Sequence, residues 1–221
     1  MKLKKIASLM LAGVMAVSML AGCSNGTKPE DDKKDPVVNT GLTGNVIAAL
    51  DEDTTKNVEF TADSNLEAVL KKAVQNAGYN GLDDISATDL NAIDSTISKD
   101  GQLANVGLSS AGSKDTDKKE SKAAYVMTLE GNGMNDVTVA KQLASKVDGL
   151  QFGLASNKKV GWADLPEFSV TFTDDDDKGD YWYDFAYTAG IAVADVSDAV
   201  TGETTYVVAV TVTRTPTEVV K

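Results

Sequence analysis

The densest group of side chains that could bind a metal ion is an acidic run in the C-terminal third of the chain. It reads Asp174-Asp175-Asp176-Asp177-Lys178-Gly179-Asp180. Carboxylate oxygens are ligands that calcium prefers, and weak calcium sites are common in extracellular modules. The run lacks the spacing of the D-x-[DN]-x-[DN]-G loop and its distant glutamate. Two hypotheses follow: a calcium site with Asp174, Asp176 and Asp180 as ligands, or a solvated turn between two strands, which is the more usual role of such a run.

An aromatic stretch comes directly after this run, with the sequence Tyr181-Trp182-Tyr183-Asp184-Phe185-Ala186-Tyr187. On a strand, alternate side chains project from one face, so Tyr181, Tyr183 and Tyr187 would share a face. An exposed row of rings could stack on sugar rings or on a partner protein, and Trp162, in a loop-like setting, could join it. The favoured interpretation is that this row packs in the core, with the tyrosine hydroxyls at its rim. A ligand site formed by Trp162, Tyr181, Tyr183 and Tyr187 is the alternative.

Residues suited to catalysis are few. The chain contains no histidine and a single cysteine, which excludes Ser-His-Asp catalysis and histidine-ligated zinc. The segment Ser156-Asn157-Lys158-Lys159 matches Ser-x-x-Lys, but the companion Ser-Asp-Asn and Lys-Thr-Gly motifs are missing. A glycan hydrolase needs two carboxylates at a fixed separation, and 33 acidic residues give no basis for choosing a pair. We interpret the chain as non-enzymatic, with a carboxylate-dependent glycan hydrolase as the alternative.

The N-terminus is built of three blocks. Lysines at positions 2, 4 and 5 precede an apolar run over residues 6–19, and Leu20-Ala21-Gly22-Cys23 follows. A basic start, a short apolar stretch and small residues before a cleavage point are typical of a secretory signal peptide. The apolar run is shorter than the roughly 20 residues that a bilayer-spanning helix needs. We therefore predict that residues 1–22 are a signal peptide.

The tetrapeptide Leu20-Ala21-Gly22-Cys23 resembles the lipobox of bacterial lipoproteins, and this resemblance covers only the first two dozen residues. It implies that a dedicated peptidase cuts before Cys23 and that the thiol of Cys23 carries a diacylglycerol. The protein would then be lipid-anchored at the extracytoplasmic face of the cell membrane. Two or more acyl chains make such anchoring stable, whereas a single chain gives only marginal binding.

Net charge and cysteine content restrict the partners and the means of stabilisation. The formal net charge is −12, and removal of the three lysines in residues 1–22 would make it −15. A surface this acidic repels nucleic acid, which is therefore not an expected partner. Cys23 is the sole cysteine, so lipidation would leave none for a disulfide. The folded part must then depend on an ordinary hydrophobic core.

Composition divides the rest of the chain into a tether and one domain. Residues 23–42 begin with a polar stretch rich in Asp, Lys and Pro, which is typical of a flexible linker. Residues 43–221 are expected to form a single domain. The polar stretch near residues 109–122 is either a long exposed loop, which we favour, or a boundary between two subdomains.

Hydrophobic periodicity predicts the elements of this domain. Apolar residues at three- and four-residue steps predict helices over 65–77, 89–98 and 136–147, with a capping box at Ser64 and Glu67 before the first of them. Alternating or β-branched runs predict strands over 58–61, 104–108, 123–129, 168–173, 182–196 and 204–213. The pattern favours an α+β fold, with helices packed on one face of a mostly antiparallel sheet and a C-terminal β-hairpin.

These observations together favour a membrane-anchored binding or interaction module for an extracellular protein or a small-molecule ligand. A structural or assembly component of the cell envelope is the alternative. No cofactor is expected apart from calcium at the acidic run. A deep pocket beside Trp162 and the aromatic strand would favour a small-molecule ligand, whereas exposed apolar surface would favour a protein partner.

Overall fold

The computed structural model describes residues 41–103, 117–153, 159–172 and 179–219. The helices are α1 (Gly41–Ala48), α2 (Glu52–Thr55), α3 (Ser64–Ala77), α4 (Ala87–Ile93) and α5 (Asp136–Asp148), with 3₁₀ turns at Tyr79–Asp84 and Trp162–Asp164. The strands are β1 (Val58–Ala62), β2 (Ser121–Glu130), β3 (Phe152–Gly153), β4 (Lys159–Val160), β5 (Phe168–Phe172), β6 (Gly179–Ser197) and β7 (Thr204–Glu218). The predicted signal peptide, most of the tether and the predicted strand at 104–108 lie outside the described residues.

Helix α3 follows its predicted apolar stripe. Its buried residues are Leu66, Val69, Leu70, Ala73 and Val74. Gly78, the C-cap residue directly after the helix, has a φ of +66°. The cap differs from the prediction, because the backbone N–H of Leu66 donates to Oδ1 of Asp63 at 2.9 Å. Asp63 therefore satisfies the first turn, and the capping box predicted for Ser64 and Glu67 is wrong.

Helix α4 is shorter than predicted and ends at Ile93. The next residue, Asp94, accepts hydrogen bonds from Nδ2 of Asn65 at 2.9 Å and from the hydroxyl of Thr96 at 2.7 Å. This carboxylate joins α4 to α3, and the backbone leaves the helical conformation at Asp94. Helix α5 agrees with its prediction, since Oδ1 of Asn135 accepts the backbone N–H of Thr138 at 2.9 Å as an N-cap.

A mixed, mostly antiparallel sheet forms the centre of the fold. Its order is β1-β6-β7-β2, and β5 also pairs with β6. The C-terminal strands β6 and β7 form the predicted hairpin, paired from Tyr183 opposite Glu218 to Ser197 opposite Thr204. Strand β1 is parallel to β6, whereas β2 and β5 are antiparallel to their partners. The predicted α+β class, antiparallel sheet and C-terminal hairpin are confirmed.

The helices lie on both faces of this sheet, whereas we expected them on one. Helices α1 and α5 pack on the face that carries Ile191, Val193, Val208 and Val210. Helices α3 and α4 pack on the opposite face, against Ala192, Ala194, Val207 and Ala209. The physical reason is the composition of the hairpin's distal half, which is apolar at consecutive positions and so must be covered on both sides.

The folded part begins slightly earlier than predicted. Helix α1 starts at Gly41, and Leu42 packs against the core cluster beneath α1 and α5. The elements that precede the predicted subdomain boundary share the sheet with those that follow it. Strand β1 pairs with β6, and α3 packs on β6 and β7. Most of the boundary itself, residues 109–116, lies outside the described residues.

Candidate functional site

The aromatic strand predicted as a candidate ligand surface is part of the core. Tyr183, Phe185 and Tyr187 are 6%, 8% and 6% exposed, and the hydroxyl of Tyr187 donates to the backbone carbonyl of Pro166 at 2.8 Å. The favoured core-packing interpretation is confirmed for these residues. The alternative, an exposed row of rings that includes Tyr183 and Tyr187, is not formed. The side chain of Tyr181 lies outside what the structure describes.

Trp162 also covers the core rather than a ligand. It is 2% exposed, and its indole Nε1–H donates to the carbonyl of Val147 at 2.7 Å. This carbonyl lies in the last turn of α5 and also accepts the backbone N–H of Leu150 at 3.0 Å, so the indole adds a further hydrogen bond to the end of the helix. Phe152 and Phe60 contact the indole edge-on, with ring centroids 4.6 and 5.0 Å away. A small-molecule site built on Trp162 is therefore not formed.

The proposed metal ligands fall largely outside the described residues. Asp174 and Asp176 belong to residues 173–178, which are not described, and Asp180 is described only as a backbone position opposite Thr171. Calcium binding by this run thus stays a prediction. Within the described ranges, no three acidic or cysteine side chains gather closely enough to hold a metal ion. Cys23 also lies outside the described residues.

The sheet contains a buried cation that the sequence analysis missed. Arg214 is 1% exposed and lies opposite both Tyr187 and Ser121 in the sheet register. Its guanidinium stands 4.5 Å above the ring centre of Phe185, and Nη2 donates to the carbonyl of Lys119 at 3.4 Å. Asp117, just before β2, is completely buried. The sequence offers one signal, since Arg214 is the single arginine of the chain, but its inward position depends on how β7 pairs with β2 and β6.

Arg214, Tyr187 and Asp117 form a buried cluster, and its electrostatics follow from that burial. Desolvation lowers the pKa of Arg214, while the nearby charges of Tyr187 and Asp117 act in the opposite direction. Burial likewise raises the pKa of the Tyr187 hydroxyl. Arginine and tyrosine side chains ordinarily titrate far above neutral pH, so neither Arg214 nor Tyr187 is suited to exchange a proton there. We therefore assign the cluster a role in holding residues 117–119 against the sheet.

Two polar cavities meet along the outer side of β2. Their volumes are about 510 and 180 Å³, and the lining residues common to both are Thr96, Ile97, Ser98 and Lys122. Several polar groups of this segment already have partners within the protein. Nδ2 of Asn91 donates to the carbonyl of Ile97 at 2.5 Å, and the Ser98 hydroxyl donates to the carbonyl of Asp100 at 3.3 Å. These groups hold the segment after α4 in place, and the larger cavity is wide open.

A third cavity, of about 480 Å³, lies between α3 and α4 and is lined by two carboxylates, Asp84 and Asp89. The backbone N–H and the hydroxyl of Ser86 donate to Oδ2 of Asp89 at 2.9 and 2.7 Å. These bonds lower the pKa of Asp89. The acid of a glycan hydrolase instead needs a raised pKa to remain protonated. Asp89 is therefore a helix-capping carboxylate.

Strand β2 is the last strand of the sheet among the described residues. It pairs with β7 along its full ten residues, and no described strand pairs with it on the other side. A short contact covers one point of that edge, where the N–H of Ala124 donates to the carbonyl of Asp100 at 3.0 Å. Sequence analysis predicted the strand but not its position, because edge and central strands of similar composition are not distinguished by periodicity.

Comparison with known proteins gives no relative from which a function could be transferred. No protein-family model matches the chain, and neither the curated proteins nor the solved structures contain a match to it. Within the described ranges, no helix combines the length and the apolar character needed to cross a bilayer.

Proposed function

We propose that this protein is an extracytoplasmic lipoprotein, anchored in the cell membrane by lipid on Cys23, whose α+β domain is a non-enzymatic interaction module. The observation that supports the proposed lipid anchor is the order of basic, apolar and small residues that ends in Leu20-Ala21-Gly22-Cys23. The basic charge of the first residues, the length of the apolar run and the position of Cys23 all agree with export by a signal peptide. The acidic character of the mature chain is consistent with a domain held away from anionic headgroups.

The module binds protein rather than a small molecule in this proposal. The aromatic side chains that could have formed a ligand pocket are used in the core, with Trp162 and Tyr187 both hydrogen-bonded to backbone carbonyls. Several polar groups that line the cavities of the described domain, among them Asp63, Asp89 and Asn91, already have hydrogen-bond partners within the protein. By contrast, β2 is the last strand of the sheet in the part of the chain that the structure describes, and edge strands are frequent sites of protein association.

Replacement of Cys23 tests the anchor. The full chain carrying Cys23→Ala, grown with an alkyne-labelled fatty acid, should incorporate no label and should not fractionate with the membrane as an acylated protein. The matched control is Ser24→Ala, which changes the adjacent residue and should be labelled and membrane-bound like the wild type. Equal labelling of the wild type and Cys23→Ala would contradict the proposal.

A further inference from the structure

A groove of about 480 Å³ lies between α3, α4 and the 3₁₀ turn that joins them. All of its lining residues belong to one described stretch of the chain, residues 73–93. Ala73 and Ile85 are buried at its floor, and Ala77 and Ala92 are exposed at its sides. Because most of these side chains are small, the backbone of another element can approach the two helices closely.

The residues next to the undescribed stretch 104–116 do not adjoin the groove. The two helices of the groove pack on one face of the sheet, and Leu103 belongs to the core cluster of the other face. Asp117 lies by Arg214, whose guanidinium stands above Phe185 of that same cluster. Both residues that border the stretch are therefore on the opposite side of the sheet from the groove.

The charged residues that line the groove are all acidic. Asp84 and Asp89 are exposed there beside the amide of Asn76, and none of the described residues that line it is a lysine or an arginine. The surrounding sequence has the same bias, because residues 73–98 contain no cationic residue. Four aspartates lie in this stretch, namely Asp83, Asp84, Asp89 and Asp94. The charges of this surface therefore attract a cationic ligand and repel an anionic one.

Both lining carboxylates have oxygen atoms that can accept hydrogen bonds from a ligand. The side chain of Asp84 forms no hydrogen bond within the described part of the chain. Asp89 accepts the backbone N–H and the hydroxyl of Ser86 through Oδ2, which leaves Oδ1 for a ligand. These bonds lower the pKa of Asp89, so its carboxylate is ionised at neutral pH. The groove thus presents two carboxylates to a partner above an apolar floor.

We propose that this groove is the docking site for a cationic amphipathic helix of a protein partner. In recognition of this kind, a helix lays its apolar face into a groove. Apolar side chains of the partner lie against Ala77, Ile85 and Ile93. Its lysine or arginine side chains extend their aliphatic stems along the groove and place their charged ends beside Asp84 and Asp89. The proposal rests on the proposed role of the domain as an interaction module, and it is independent of the lipid anchor.

The apolar and the charged parts of the groove together select this class of partner. A polyamine matches the charge but buries little of the alanine and isoleucine surface, so it gains little from the hydrophobic effect. An acidic amphipathic helix buries that surface but is repelled by Asp84 and Asp89. A cationic amphipathic helix gains both the apolar contact and the charge attraction.

Binding of a synthetic helical peptide tests the groove. The probe is a fluorescent peptide of leucine and lysine, with leucine repeated at three- and four-residue steps, and fluorescence anisotropy at physiological salt gives its affinity. The protein is the full chain carrying Cys23→Ala, so no acyl group binds the probe and the result does not depend on lipidation. Asp84→Asn should weaken binding by about two- to fivefold, which is the effect of one exposed ion pair. Asp53→Asn removes the same charge from an exposed position of α2, which adjoins α5, and should leave binding unchanged.

A lysine placed in the groove gives a second test. Ala92→Lys keeps a good helix former in α4, and its ammonium group repels a cationic partner, so binding should fall by at least about tenfold. Ala48→Lys adds the same charge at an exposed position of α1 and is the matched control. Unchanged thermal unfolding midpoints show that the variants are folded.

Three results would overturn the proposal. The first is that the probe does not bind the chain with an unsubstituted groove. The second is that the groove variants and their matched controls, all folded, bind the probe equally. The third is equal affinity for a peptide of the same composition whose leucines and lysines are shuffled out of helical register, because charge alone would then explain the binding.

Discussion

The guanidinium of Arg214 and the carboxylate of Asp117 lie in an interior otherwise filled by aliphatic and aromatic side chains. Both residues are at most 1% exposed. Removing an ion from water is costly, and a buried ion is tolerated when an opposite charge and hydrogen bonds replace the lost hydration. Arg214 gains part of this from Asp117, from the carbonyl of Lys119 and from the face of Phe185. The pair therefore fixes where residues 117–119 meet the sheet.

Removal of the arginine should be strongly destabilising. Arg214→Met leaves Asp117 as a buried charge without its cation, which costs about 3–5 kcal/mol. The free energy of unfolding in urea, followed by tryptophan fluorescence, measures this loss. The double variant Arg214→Met with Asp117→Asn should recover much of it, and Lys141→Met, which alters an exposed cation on α5, should have little effect. A loss below 1 kcal/mol for Arg214→Met would contradict this account of the cluster.

Two tyrosines should respond in opposite directions to loss of their hydroxyls. The buried hydroxyl of Tyr125 has no hydrogen-bond partner within the described residues, and burial raises its pKa to about 12. An unsatisfied buried hydroxyl is costly, so Tyr125→Phe should stabilise the domain by about 1 kcal/mol. Tyr187→Phe loses the bond to Pro166 and should destabilise it by about 1 kcal/mol. Urea unfolding of both variants measures the direction of each change in unfolding free energy. Destabilisation by Tyr125→Phe would contradict the conclusion that the Tyr125 hydroxyl is buried without a partner among the described residues.

Some helices and strands could be predicted from local sequence patterns alone, whereas others depend on contacts between distant residues. Helices α3 and α5 were predictable because their apolar residues recur at helical steps, and the hairpin was predictable from its β-branched runs. The end of α4 was not, since it depends on Asn65 of α3 reaching Asp94. The second helical layer was missed although consecutive apolar residues at 191–194 and 207–210 are typical of strands buried on both faces. The burial of Arg214 depends on a non-local partner, Asp117, which no local pattern identifies.

A glycine in the central strand shows how α3 is seated on the sheet. A Cβ added at Gly190 would lie 2.9 Å from Oδ2 of Asp63 and 2.9 Å from Oγ1 of Thr211. Asp63 is the N-cap of α3, so its side chain has little freedom to move. Gly190→Ala should therefore cost about 1–3 kcal/mol through overpacking. In Gly161→Ala the nearest atom is Nε2 of Gln151 at 3.5 Å, and this control should change the unfolding free energy by less than about 0.5 kcal/mol.

The hairpin turn should lose support in acid. Oδ1 of Asp198 accepts the backbone N–H groups of Thr201 and Val200 at 2.7 and 2.6 Å, and these bonds lower its pKa below the ordinary 3.8. A lowered pKa means that the stabilisation is present above about pH 4 and is lost as the pH falls through the folded-state value. A carboxyl NMR titration should give this lower pKa. Asp198→Asn should flatten the stability profile between about pH 4 and 2, and a pKa at or above the ordinary value would disprove the effect.

The whole molecule, as we propose it, combines an acylated N-terminus with an acidic, histidine-free domain whose described sheet ends in β2. The domain is stabilised by two cores, one on each face of the sheet, and needs no disulfide. The fold class was predictable because it depends on element order and periodicity. The position of β2 at the end of the described sheet was not, because it depends on the order in which the strands pair. We propose that this combination serves interaction with other proteins.

Mass spectrometry of the native N-terminus is the most direct test of the anchor on which the proposed function depends. Protein isolated from bacterial membranes should yield an N-terminal peptide that begins at Cys23 and carries the added mass of a diacylglyceryl group. A peptide that begins at Met1, or one that begins at Cys23 with an unmodified thiol, would contradict the account.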